Sequence, residues 1–205
     1  MERGGNGIAW LLAVFAAGLT VVCRLIPYCY YDNPYETSVW HFVPIGALCV
    51  FAGARLRHPA AFLLPLAAMV VSDLLLIAPI AKLGYSAFGW GTPIRYGFLL
   101  VYFVGGWLIP SGRLAVGATA TAAVLLLGGL PYFVVSNFLV WLGDSSGQMY
   151  SRDLAGLIHC YGAALPFYQN TLLADAFYGM ALFGLHAVLL LAMRPQSQTQ
   201  TESGR

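Results

Sequence analysis

Four polar side chains stand inside stretches that are otherwise apolar: His41, Asp73, Asn137 and Asp175. A charged group at the centre of a membrane helix costs about 2.5–3.5 kcal/mol on insertion scales, so it turns toward a partner, a cavity or a solute. Asp175 lies in LPFYQNTLLADAFYGMALFGLHAVLLLAM, Leu165 to Met193. Helical spacing puts Tyr168, Thr171, Tyr178, Leu182 and His186 near its azimuth, a polar stripe on an apolar rod. A carboxyl so placed can hydrogen-bond a solute when neutral or pair with a cationic one when charged. Both alternatives stay open, because Arg24 and Arg95 at the expected rim are the only cations near enough to reach down.

The elements that must hold these groups follow from composition. Sixty per cent of the residues are hydrophobic and 9% charged, and mean hydropathy is +0.75. A soluble domain of this length has no interior for so many apolar side chains. The expectation is an all-α polytopic membrane protein with about six transmembrane helices at about 20 residues each. Residues 1–194 form a single domain and 195–205 a disordered polar tail. A net charge of +2 with scattered basic residues excludes a nucleic-acid footprint. Cys23, Cys29, Cys49 and Cys160 show no CxxC or Cys/His spacing, so neither metal nor cofactor is expected. Cys29 and Cys160 fall in loops on one side and could pair, although buried thiols are the commoner state.

Along the chain, Gly7 to Cys23 reads as an uncleaved first helix with Ala9, Ala13 and Ala17 on one ridge, where another helix could approach closely. Arg24 to Ser38 reads as a tyrosine-rich loop, suited to the headgroup belt or to covering a solute. Helix two is expected from about Val39 to Ala54 with His41 in its first turn, helix three from about Pro59 to Ala81, and helix four from about Ile94 to Ile109. Leu114 to Gly143 is too long for one straight span, and Gly128, Gly129 and Pro131 break it in the middle. Asp144 to Ala164 is expected as a connection, with room for an interfacial helix, before helix six.

Six spans place Arg3, Arg55, Arg57, Arg113, Arg194 and Arg205 on one side, against Arg24, Lys82, Arg95 and Arg152. The first group reads as cytoplasmic, with both termini inside. At 1.5 Å of rise per residue, Asp175 lies about 15 Å, Asp73 about 12 Å, Asn137 about 9 Å and His41 about 3 Å below the outer ends of their helices. All therefore fall in the outer half, which suggests a solute pocket open to the outside. Aromatic residues at the rim, Trp40, Trp90, Trp141, Tyr161, Phe167 and Tyr168, could wall it. His186 is deeper and reads as structural.

Three stretches carry a resemblance: RLIP with HFVPIGALCVFAGA and PLAAMVVSDLLL, SNFLVWL, and GLIHCYGAALPFYQNTLLADAFYGMALFG. They resemble a family of uncharacterised bacterial integral membrane proteins described only as transport proteins, over most of Arg24 to Gly184. More distantly, the layout is similar to the substrate-binding S components of energy-coupling-factor (ECF) vitamin transporters. That resemblance implies a solute pocket near the outer face and a small-residue ridge, here Ala9, Ala13 and Ala17, meeting a transmembrane coupling subunit served by ATPase subunits. The tyrosine-rich insertion and the broken fifth helix depart from that pattern.

The expected function is binding of a small organic solute, vitamin-like or other, from the outer side of the cell inner membrane. Asp73, Asp175, Asn137, His41, Tyr178 and Trp141 would bind it. No GxxxxGK[ST] motif occurs in the chain, so ATP coupling would require partners. Two rivals remain: a membrane enzyme using Asp73 and Asp175, or His41 and His159, as acid and base, and a structural or assembly subunit in which the helix-six stripe is a helix contact.

Overall fold

The computed structural model describes residues 2–32, 41–84, 86–89, 91–110, 114–144 and 146–193. Trp40, Tyr85, Trp90, Arg113 and the tail expected at 195–205 lie outside the described residues. All regular structure among the described residues is helical: α1 (Glu2–Tyr30), α2 (Ile45–Phe51) running into a π-helical turn (Ala52–Leu56), a 3-10 turn (Pro59–Phe62) leading into α3 (Leu63–Lys82), α4 (Thr92–Trp107), α5 (Leu114–Leu127), α6 (Leu130–Gly143) and α7 (Leu154–Ala192). Four stretches are long and apolar enough to cross a membrane: Asn6–Tyr30, Pro59–Lys82, Gly117–Gly143 and Leu154–Ala192. This is an all-helical membrane protein.

The helix starts carry local signals. Pro93 opens α4 and Pro131 opens α6 at N1/N2, where a missing N–H costs nothing because the first turn has no acceptor for it. Gly128 and Gly129 fall between α5 and α6, so the long fifth stretch is two helices meeting at the break expected there. The Asp153 side chain accepts from the Gly156 N–H at 2.8 Å and caps α7. The His58 ring nitrogen accepts from the Ala60 N–H at 3.2 Å ahead of the 3-10 turn.

Three boundaries differ from expectation. First, α1 continues through Pro27 to Tyr30, so Arg24 to Tyr30 is helix rather than loop, and Arg24 is held on a rigid rod. Second, helix two begins only at Ile45, after Pro44; His41 lies ahead of it in a left-handed turn (φ 64°), not in its first turn. Third, α7 runs unbroken from Leu154 through Pro166, so the connection expected up to Ala164 is largely helix. Proline loses one hydrogen bond, which a packed membrane helix tolerates, and the prolines therefore marked no boundary. At 1.5 Å per residue α7 is about 58 Å long, roughly twice a hydrocarbon core.

The core is α2. Ala47 through Ala52 are all 0% exposed, and the short helix packs against α4, α7, α1, α5 and α3. Lipid tails are as apolar as leucine, so helices in a membrane associate through close fit, which small residues permit. Here the fit reaches backbone contact: a Cβ on Gly106 would fall on the Val50 carbonyl, and one on Gly53 on the Phe103 carbonyl. Phe51 meets Phe183 and His186 edge-on at 5.2 and 5.6 Å. Beyond the π-helical turn, Arg57 (φ 47°) donates Nη2 to the Ile109 carbonyl at 2.5 Å and Nε to the Ala54 carbonyl at 3.3 Å, tying the ends of two elements together.

Ala9 and Ala13 are 1% and 0% exposed, buried in the chain's own core with Ala17 packed against it. This corrects the expectation of a partner-facing ridge: the close approach those alanines allow is taken up by the protein's own helices. All four cysteines are free thiols, Cys29 exposed and Cys160 buried, so the Cys29–Cys160 pair is not formed.

Candidate functional site

A cavity of about 870 Å³ opens between α1, α3, α4, α6 and α7 and ends at the start of α2. Its size falls within the roughly 300–1,000 Å³ of small-molecule sites. Asp73, Asn137, His41 and Asp175 all line it, so the depth argument brought residues of separate helices to one space.

Asp73 sits on α3 with Ser72, whose hydroxyl returns to the Ala68 carbonyl at 2.8 Å. The carboxylate is held from three sides: Arg24 Nη2 of α1 donates to Oδ1, Arg95 Nη2 of α4 to Oδ2 at 2.5 Å, and the Tyr96 hydroxyl to Oδ2 at 2.7 Å. Arg24 also donates Nη1 to the Met69 thioether at 3.0 Å. The Asp73 side chain is 2% exposed, against 17% for Arg24 and 31% for Arg95. The carboxylate is thus sequestered behind the two guanidiniums that it joins.

Asp175 has a different employment. The Tyr102 hydroxyl donates to its Oδ2 at 2.6 Å, and the carboxyl lies against Gly46 in the first turn of α2. A Cβ on Gly46 would fall on that carboxyl, so glycine is what lets α7 reach the α2 start. Asp175 therefore rests its carboxyl against the start of a helix belonging to another part of the chain, the end where a helix favours negative charge.

Asn137 donates Nδ2 to the Phe133 carbonyl one turn back at 2.7 Å and lines the cavity from α6. His41 lines the cavity and remains exposed, with its ring edge-on to Phe167 at 6.2 Å. Phe133 and Tyr168 stack at 4.6 Å and 25°, and Phe98 meets Tyr132 at 5.4 Å, so one wall is continuous aromatic surface.

The other two expected ligands do not line the cavity. Tyr178 closes the α1–α7 seam, its hydroxyl 3.6 Å from Cys23 Sγ and its ring against Phe42. Trp141 braces the 144–153 loop by donating Nε1 to the Ser151 carbonyl at 2.9 Å, with Arg152 over its ring. In the same loop Asp144 accepts from the Tyr150 and Met149 N–H groups at 2.8 and 2.9 Å; the bond from Tyr150, chiefly, holds its carboxyl below the usual range. His159 packs on Tyr150 and has no place on the cavity wall. Among the described residues no three His, Cys, Asp or Glu side chains gather into a metal site.

Tyr96, Tyr102 and Gly46 were missed from the sequence. A tyrosine in an apolar helix reads as interfacial, yet Tyr102 is two turns from Arg95, a spacing that puts both on one helix face. Gly46 gave no sign of a close approach, because its partner is well over a hundred residues away in the chain.

Residues 5–198 match a family of unknown function (DUF6580), and the chain belongs to that family. No curated protein matches it, and no solved structure does.

Proposed function

We propose that this protein binds a small organic solute inside the membrane and takes it from the outer side of the cell inner membrane, as a transporter or as the solute-binding subunit of one. The carrying observation is an 870 Å³ cavity to which residues of separate helices contribute polar groups, while most of its wall is apolar and aromatic. Few convergent polar groups in a largely apolar concavity is the usual composition of a small-molecule site. Release toward the other face would require α2 and α4 to part, since beyond Asp175 the two backbones are in contact.

In this reading the chain crosses the membrane six times, with both termini cytoplasmic. The α2 stretch with its π-helical turn, Ile45–Leu56, is about 18 Å long and serves as an inner half-span ending at the cavity floor. Membrane solute sites recurrently lie beside such short helices near the midplane.

The test is accumulation from a complex mixture. Cells producing the wild-type protein, incubated in a metabolite extract, should accumulate at least one compound detectable by mass spectrometry. Cells producing Ser136→Trp, which fills the cavity from α6, should not, at equal membrane levels of protein. Identical profiles for the two would refute a solute role.

A further inference from the structure

The charges on the cavity wall are unevenly shared. Four formal charges line it, Arg24, Arg95, Asp73 and Asp175, and they would cancel if all were equally presented. Asp175 is engaged beside the α2 start by the Tyr102 hydroxyl. Among the described residues Asp73 alone pairs with both guanidiniums, so the cluster of Arg24, Asp73 and Arg95 carries one positive charge more than it neutralises. Burial sharpens the imbalance: the acid is 2% exposed and the bases 17% and 31%. A solute in the cavity therefore meets cation, not carboxylate.

The two guanidiniums also have donor capacity left. Among the described residues, Nε of Arg24 and Nε of Arg95 are buried without a hydrogen-bond partner. An excess charge in a low-dielectric site is costly unless an opposite charge or water accompanies it. Guanidinium forks pair best with planar or multi-oxygen anions. Next to the cluster runs the wall of Phe98, Tyr132, Phe133 and Tyr168, which offers an apolar body area to lie on and nothing to a bare inorganic ion.

We infer that the cavity takes an organic anion, a carboxylic acid with an apolar or aromatic body, whose acid group docks on Arg24 and Arg95 while the body lies against the Phe133–Tyr168 wall. This rests on the solute-binding reading and adds the sign of the solute's charge. Asp73 is then a positioning residue that holds the two arginines side by side, and the cationic solute that an exposed Asp73 would have called for is disfavoured.

The experiment uses the full chain in nanodiscs of zwitterionic phosphatidylcholine, which keeps anionic lipid headgroups away from the cluster. Binding is followed by calorimetry and thermal shift for two matched sets, benzoate, benzamide and benzamidine, and hexanoate, hexanamide and hexylamine, with inorganic phosphate alongside. The expected result is that the carboxylates bind about tenfold or more tightly than their amides, a difference of about 1.4 kcal/mol, with no binding of benzamidine, hexylamine or phosphate. Arg95→Gln should abolish the preference for acid over amide, and Arg95→Lys should retain it with several-fold weaker binding. Tight binding of the amides or amines overturns the inference and leaves the cavity standing. Binding of phosphate with no binding of benzoate or hexanoate, or loss of benzoate binding when phosphatidylglycerol is added to the nanodiscs, overturns the organic-acid assignment. If no acid binds while the accumulation assay yields a neutral or cationic compound, the inference fails by itself; if neither assay detects a compound, the solute reading fails with it.

Discussion

Around Asp73, side chains of α1, α3 and α4 meet beside open volume, whereas around Gly106 the backbones of α2 and α4 touch with no side chain between them. The first region is held by long, charged, directional groups and the second by the absence of side chains. Long ion pairs can re-form across a modest separation, because their reach is several ångströms. Backbone contact cannot, since it is lost as soon as the helices part. In the proposed function the cavity end would thus stay wide with a solute in or out, and the α2–α4 end would be either shut or open.

The largest expected effect lies at the cavity end. Asp73→Asn leaves two guanidiniums facing each other with no counter-charge, and removing one partner of a buried pair costs about 3–5 kcal/mol. The variant should show a strongly lowered unfolding temperature in detergent, and adding Arg24→Gln should restore much of it. A single variant as stable as wild type would mean that water or another group already balances the arginines, and would erase the contrast between the two ends.

At the closed end, Gly106→Ala places a methyl group on the Val50 backbone and should cost about 1–3 kcal/mol through overpacking. Its effect should differ in kind as well: it forces apart the seam that the proposed release would have to open, so accumulation should fall or become leaky while affinity at the arginines is kept. Equal loss of affinity and accumulation would show that the two ends are not separable.

The smallest effect is expected outside both regions, at the 144–153 loop. Asp144 is half-buried, and its carboxyl is held below the usual range by the N–H groups of Tyr150 and Met149 and the Ser146 hydroxyl. A group whose folded pKa is depressed contributes order above its unfolded value, near 3.9 for aspartate, and loses it as pH falls through the folded value. The fluorescence of a variant keeping only Trp141 should therefore be flat from neutral pH down to about pH 4 and change below it. Asp144→Asn should show the acid spectrum at neutral pH, with no change in solute binding.

Much of the frame was legible in the chain. The break at Gly128 and Gly129 and the limits of α3 follow from proline and glycine chemistry, which is local. The ends of α1 and α7 were misjudged because prolines at 27 and 166 look like stops, whereas a packed membrane helix absorbs them. Trp141 and Tyr178 were assigned to the site on type and position. Their rings turned instead to a loop and to a helix seam, and nothing local to either residue records that choice.

Sequence by itself determined that this is an all-helical membrane chain with ionisable groups placed in its apolar stretches, because hydropathy and helical rise are properties of consecutive residues. Only the tertiary structure decided what those groups do. Asp73 serves two arginines from other helices, Asp175 rests against the start of a helix distant in the chain, and the alanine ridge closes on its own core. Each depends on which helix becomes whose neighbour, which is settled by close packing between segments distant in the chain and is written in no single stretch of it.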